Sequence, residues 1–410
     1  MYGRFGIVHE DSGRCRRDDE GMTHTDDTVV GRVPETKPAP GGRRLPLLDV
    51  LRGVAILGTL MTNVWIFTGP GAEWGALQSG SSAGVVEGTF SVLANGKFLS
   101  LLTLLFGVGL AIQYASAARR GQPWPGRYRW RALFLFAEGT VHFVLVFAWD
   151  VLMGYAVTAL LVAWLLTRSE RAQRRVMWWA AGIHLTFMAL LTAALALTGD
   201  NADDPVSEEV VELYAHGGYS EQIAFRLENA IALRMEPVLT FFLLLFLFLL
   251  GVRLFRAGAF GADETGRRLR SRLLAWGLGL GLPLNVAATL AGQDFFLLAR
   301  YAAAPLLALG YIGLIGALVD RVRKPGPLMT GLTSVGRTAL SGYVLQNVLC
   351  VLVSYGIGLG LAERLGDTGP WWVVGLWVTV CAILMAGSTL WLRRFSAGPL
   401  ESVQKWALRH

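Results

Sequence analysis

From Leu45 onward, stretches of about twenty apolar residues recur along the chain, separated by short polar runs. Each is long enough to cross a bilayer core of about 30 Å as a helix. That single feature makes the chain an all-α, polytopic integral membrane protein. The composition agrees: 53% of residues are hydrophobic, 16% are charged and the mean hydropathy is +0.46. A soluble domain carries about a quarter charged residues.

The apolar runs predict ten membrane helices near 46–68, 96–116, 131–149, 151–168, 176–198, 236–256, 273–293, 295–319, 339–361 and 371–392. Residues 1–44 are rich in Gly, Pro, Asp and Thr without apolar periodicity and are read as a disordered cytoplasmic tail, with Met1 or Met22 as the start. Residues 45–235 form the N-terminal membrane helices with their outer loops, and 236–410 the C-terminal membrane domain. No cleavable signal peptide precedes Leu45.

The net charge of +7 is explained by topology rather than by a nucleic-acid partner. Of the 37 Lys and Arg residues, all but Arg52, Lys97, Arg226, Arg234, Arg300 and Arg364 fall in the tail, in alternate loops and after residue 392. The positive-inside rule then places both termini in the cytoplasm of a multi-pass membrane protein. The acidic outer segment 199–235 is expected to carry an amphipathic helix, and the Gly/Ser-rich segment 69–95 to dip toward the bundle. The three cysteines show no metal or disulfide spacing. No P-loop, zinc helix or GxSxG motif is present.

Ionisable residues inside membrane helices are costly unless they meet partners or water. In "LDVLRGVAILGTLMTN", Asp49 and Arg52 are three apart and can pair. Asn63 lies on the same face as Arg52, about 16 Å along the axis. The pair either anchors the inner helix end or starts a polar stripe toward Asn63. Gly53, Gly58, Gly107 and Gly109 read as close-packing positions. Glu138 and His142 are four apart, so the carboxylate is expected to accept the imidazole N–H and fix its tautomer. Asp150, at the tight turn after this helix, lies eight residues and about 12 Å beyond His142 and cannot touch it along the same helix, though both could line one outward-opening cavity. His184 reads as an interhelical hydrogen-bonder. Lys97 either snorkels outward or donates to an oxyanion. Arg300 is expected to pair with Asp294 or Asp150. Gln346 should face the bundle interior. The segment after Arg393 reads as a basic amphipathic helix at the inner surface.

Three stretches together resemble one family: "LDVLRGVAILGTLMTN", "KFLSLLTLLFG" with "HFVLVFAWDVLMGYA", and "GRTALSGYVLQNVLCVLVSYGIGLGL…WLRRFSAGPLE". They are similar to the YeiB-like bacterial membrane proteins, domain of unknown function 418. The matching positions are Asp49, Arg52, Gly53, Asn63, Lys97, Phe98, Phe106, Gly107, His142, Asp150, Tyr155, Gly336, Arg337, Tyr343, Gln346 and Gly398–Glu401. Trp149 and Ser402 depart from the family's glycine and tryptophan.

The first helix is also similar to that of transmembrane acyltransferases, the acyltransferase-3 and heparan-type N-acetyltransferase families. The acyltransferase-3 arginine–ten residues–histidine pattern becomes Arg52 to Asn63 here. An asparagine is no general base near neutral pH but can donate to an oxyanion. The resemblance implies an acyltransferase that moves an acyl group from cytoplasmic acyl-CoA, a cosubstrate rather than a bound cofactor, to an outward-facing glycan, lipid or small-molecule acceptor. His142, Glu138 and Asp150 are then the catalytic candidates. Asp49, Arg52, Asn63, Lys97, Arg337 and Gln346 are the binding candidates, and membrane lipid is the surrounding partner. The alternative is a small-solute transporter whose polar path uses the same residues.

Overall fold

The computed structural model describes residues 45–69, 71–78, 84–198 and 206–408. The expected tail 1–44 and parts of the segments 69–95 and 199–235 lie outside these residues. Among the described residues the secondary structure is entirely helical.

In chain order the helices are α1 (Pro46–Thr68), α2 (Ala72–Gln78), α3 (Val85–Ala94), α4 (Lys97–Arg119), α5 (Tyr128–Leu145), α6 (Leu152–Leu165), α7 (Glu170–Thr198), α8 (Glu208–Ala215) and α9 (Tyr219–Glu228). After two single turns, Ala230–Leu233 and Met235–Leu239, comes α10 (Phe241–Arg256). Next are α11 (Glu264–Leu290) and α12 (Phe296–Arg321), each containing one π-type turn. The C-terminal part holds α13 (Pro327–Arg337), α14 (Ala339–Ser354), α15 (Trp371–Trp391) and α16 (Pro399–Ala407).

Six helical stretches are long and apolar enough to cross a membrane: α1, α3 continuing into α4, α7, α11, α12 and α15. The other four expected spans, α5, α6, α10 and α14, have 18, 14, 16 and 16 residues. At 1.5 Å per residue the shortest is about 21 Å long, less than a full hydrocarbon core. Two of these helices end earlier than the apolar pattern suggests. Helix α5 stops at Leu145, not 149, because Val146 N and Phe147 N both turn back to the His142 carbonyl. Helix α14 stops at Ser354, not 361, where Tyr355 takes an extended conformation.

Helix α1 is the centre of the bundle. It packs against α4, α13, α14 and α15, and its two sides supply Leu51, Ala55, Leu60 and Val64 to the main core, all fully buried. Helix α7 lies at the edge, with Trp178, Trp179 and Leu190 more than half exposed, as an outward, lipid-facing surface requires. Helix α1 crosses α13 closely, where a side chain on Gly336 would meet the Asp49 carbonyl at 1.7 Å, and α4 crosses α10 almost as closely. A side chain on Gly107 would meet the Phe248 carbonyl at 2.1 Å, and one on Gly251 would meet the Leu104 carbonyl at 2.1 Å. Gly53 and Gly58 likewise lie against Leu332 and Phe98. Gly109 is different: a methyl there would stand 3.8 Å from Arg52, an ordinary contact.

The described parts of the two segments are helical, as expected for 199–235 and in place of the expected loop in 69–95. The span 69–95 contains α2 and α3, and 199–235 contains α8 and α9. A buried ion pair ties them together. Arg226 Nε donates to Glu73 Oε2 at 2.8 Å, with neither side chain exposed. Tyr214 also donates to Glu73, and Arg226 to the Val144 carbonyl. Burial works against the Arg226 charge, but Glu73 outweighs it and holds the guanidinium above its ordinary pKa.

Candidate functional site

The turn from α5 to α6 builds the site. Because α5 ends at Leu145, residues 146–151 double back instead of running on. Trp149 Nε1 donates to the Glu73 carbonyl at 2.9 Å, which pins the turn. Asp150 Oδ2 accepts from Leu152 N at 3.0 Å and so caps the first turn of α6. Gly139, on α5, leaves room for this carboxylate; a methyl there would come within 2.6 Å of Oδ2.

Asp150 thereby reaches His142. Its Oδ1 lies 3.0 Å from Nδ1, and both residues are only 2% exposed. The expectation that Asp150 lies a continuous helix away from His142 is overturned, and the reason is the early end of α5. The expectation that Glu138 orients His142 is overturned too. Both Glu138 carboxyl oxygens are buried without a hydrogen-bond partner among the described residues. Helix α14 completes the cluster. Asn347 Nδ2 stands 3.2 Å from His142 Nε2, and Tyr343 donates to Asp150 Oδ1 at 3.4 Å. With Nδ1–H given to Asp150, Nε2 is the acceptor nitrogen, and the amide N–H of Asn347 faces it.

Tyr343 is also part of a cavity wall. The cavity has a volume of about 50 Å³, room for a few waters, and Thr59, Thr62, Asn63, Trp149, Glu236 and Arg300 share its lining. Asn63 lies at this cavity. Arg300 pairs with neither Asp294 nor Asp150. Its Nη2 donates to Glu236 Oε1 at 2.8 Å, its Nε to the Tyr301 hydroxyl at 3.0 Å and its Nη1 to Asn95. Tyr301 also donates to Glu236 Oε1, at 2.7 Å. Lys97 neither snorkels nor faces the cavity. It is 2% exposed and donates to the Ser91 carbonyl at 2.9 Å.

The remaining candidates lie elsewhere. Arg52 and Asp49 pair at 3.5 Å near the N-terminal end of α1. Arg337 closes α13, with its Nε buried and unbonded. Gln346 is fully buried and donates to Thr59 at 3.4 Å. His184 meets the Tyr301 carbonyl at 3.0 Å, an interhelical bond as expected.

Sequence reasoning did not single out Glu236, Asn347 or Tyr343 as site residues. A carboxylate immediately before the apolar run of α10 was the available signal for Glu236. Tyr343 and Asn347 are four apart and so lie on one face of α14, which was the signal for that pair. Glu401 was also missed. It caps α14 by accepting from Leu340 N at 2.8 Å and from the Ser341 hydroxyl at 2.5 Å.

The fold and this buried polar cluster define a multi-helix membrane protein with a histidine–carboxylate dyad beside an internal cavity. Residues 254–409 match the family model described as "Protein of unknown function (DUF418)". The chain is 27% identical over 388 residues to the "Uncharacterized protein YxaH" of Bacillus subtilis (strain 168), covering 89% of this chain and 94% of that one. It is 28% identical over 387 residues to the "Uncharacterized protein YeiB" of Escherichia coli (strain K12), covering 86% and 93%. A 39.9 kDa Bacillus acidopullulyticus protein from the amylase 3' region is 26% identical, with 88% and 92% covered. The C-terminal part of the chain thus matches the DUF418 family model, and most of the chain is similar to the YeiB and YxaH proteins.

Proposed function

We propose that this protein is a membrane acyltransferase of the bacterial cell membrane. In this reading both termini are cytoplasmic and the four shorter helices also complete crossings. The observation that carries the reading is the buried contact of Asp150 with His142 Nδ1. A carboxylate there holds the tautomer in which Nε2 is basic and stabilises the imidazolium formed when Nε2 takes a proton. An acceptor hydroxyl or amine displaces the Asn347 amide from Nε2 and gives up its proton to it. The acceptor heteroatom bonds to the thioester carbonyl carbon, the carbon–sulfur bond breaks, and the proton passes from His142 to the departing CoA thiolate. Asn63 at the cavity supplies an amide N–H to the oxyanion. Arg52 and the basic loops attract the CoA phosphates. Asp49 pairs with Arg52, and Arg337 ends the helix α13 that packs against α1.

Calorimetry on protein in lipid nanodiscs, titrated with acetyl-CoA and with free CoA, tests the donor. Saturable binding that is lost in Arg52→Ala supports the reading. A folded protein that binds neither at millimolar concentration sinks its acetyl-CoA form. A second reading, a small-solute transporter, is favoured by the Arg300–Glu236–Tyr301 network on the cavity wall, since buried charge pairs of this kind also line solute paths. Substrate flux in proteoliposomes without a covalent product separates the two.

A further inference from the structure

Tyr343 meets the dyad on one side and the cavity on the other. Its hydroxyl donates to Asp150 Oδ1 at 3.4 Å, and its ring centroid stands 5.3 Å from that of His142. The same side chain lines the cavity, whose walls among the described residues include neither His142 nor Asp150. Tyr343 is itself only 4% exposed. Trp149 and Val151, which flank Asp150 in the chain, complete this side of the wall, with the Trp149 indole turned to the Glu73 carbonyl. A partition one side chain thick therefore stands between the cavity and the imidazole.

What the partition faces is water. A cavity of about 50 Å³ holds a few waters where polar groups can bond each of them, and Thr62, Asn63, Glu236 and Arg300 supply such groups here. A histidine base that can take a proton from an acceptor hydroxyl can also take one from water. At the dyad, a water oxygen would bond to the thioester carbonyl carbon and give its proton to His142 Nε2. The carbon–sulfur bond would break, the proton would pass to the CoA thiolate, and a carboxylic acid would leave. A transferase has to keep that water from its base.

We infer that Tyr343 is the water barrier of the site: its ring holds cavity water away from His142, so that acyl transfer prevails over hydrolysis. The ring is the barrier, and the hydroxyl bond to Asp150 helps to fix its position. Tyr343 acts here by position, not as a catalytic group. This deepens the acyltransferase reading, and only the choice between transfer and hydrolysis rests on that reading; the exclusion of water from His142 does not.

Radiolytic hydroxyl-radical footprinting of the full-length protein in nanodiscs reads water access with a probe of water's own size. In the parent protein the Tyr343 ring is expected to be oxidised from the cavity despite its burial, and His142 to be spared. An unoxidised Tyr343 means a dry cavity, and a His142 oxidised as fast as Tyr343 means no barrier; either overturns the proposal without any variant. In Tyr343→Ala, oxidation of His142 should rise about tenfold, toward that of the exposed His216, while His184, buried against the Tyr301 carbonyl, stays as in the parent. A rise shared equally by His184 is general loosening and overturns the barrier. Tyr343→Phe keeps the ring and should protect His142 as the parent does; protection lost equally in both variants overturns the role of the ring. Thiol release from acetyl-CoA without any acceptor reads the consequence and should be faster in Tyr343→Ala than in the parent. Oxidation of His142 that rises without thiol release upholds the barrier and counts against acetyl-CoA as the donor.

Discussion

Asp150 meets His142 across the turn that ends α5, eight residues apart in sequence and 3.0 Å apart in space. The contact depends on three things: the early stop of α5, the capping of α6 by the same carboxylate, and the absence of a side chain at Gly139. Asp150→Asn keeps a group of the same shape at the cap but removes the charge facing Nδ1. Acyl transfer should fall about 10²–10⁴-fold, the usual range for losing a general base. Unchanged size-exclusion behaviour would accompany it. Full activity in this variant would remove the dyad from the chemistry.

Glu138 gives the opposite expectation. Its carboxyl has no partner, so Glu138→Gln exchanges an unbonded buried acid for an amide of the same size. Thermal stability should be equal or higher, and transfer should stay within a few-fold of the parent. A loss as large as that of His142→Ala would return Glu138 to the orienting role.

The Arg226–Glu73 pair ties the short helices α2 and α9 together. Glu73→Ala leaves a guanidinium buried and uncompensated and should cost about 3–5 kcal/mol. Replacing both residues, Glu73→Met with Arg226→Met, removes the stranded charge and should recover much of that loss. Denaturation followed by thermal-shift fluorescence would show the order of the three proteins; a double variant less stable than Glu73→Ala contradicts the account.

Glu401 caps the helix that carries Tyr343 and Asn347 to the dyad. Removing it as Glu401→Ala should cost about 0.5–2 kcal/mol, as for other helix caps. Glu401→Gln retains an acceptor oxygen and should lose less. Hydrogen exchange at Leu340 and Ser341 is the direct readout, and protection unchanged from the parent would argue against the cap.

The amino-acid order determined the membrane class, the helical architecture and the first helix almost to the residue, because bilayer thickness turns apolar run length into helix length. It also determined the Asp49–Arg52 pair, the interior position of Gln346 and the close crossings at Gly53 and Gly107, all of which follow from helical periodicity within one segment. Helical periodicity is also what misplaced Glu138. On an uninterrupted helix it is the nearest carboxylate to His142, and Asp150 is too far. Only the tertiary structure decided otherwise. The pinning of Trp149 by the Glu73 carbonyl, which holds the turn after α5, joins segments far apart in sequence. The partners of Arg300 and His142, Glu236 and Asn347, likewise come from other helices. An ion or hydrogen-bond partner supplied across a helix interface leaves no spacing in the chain, so packing alone assembles this site.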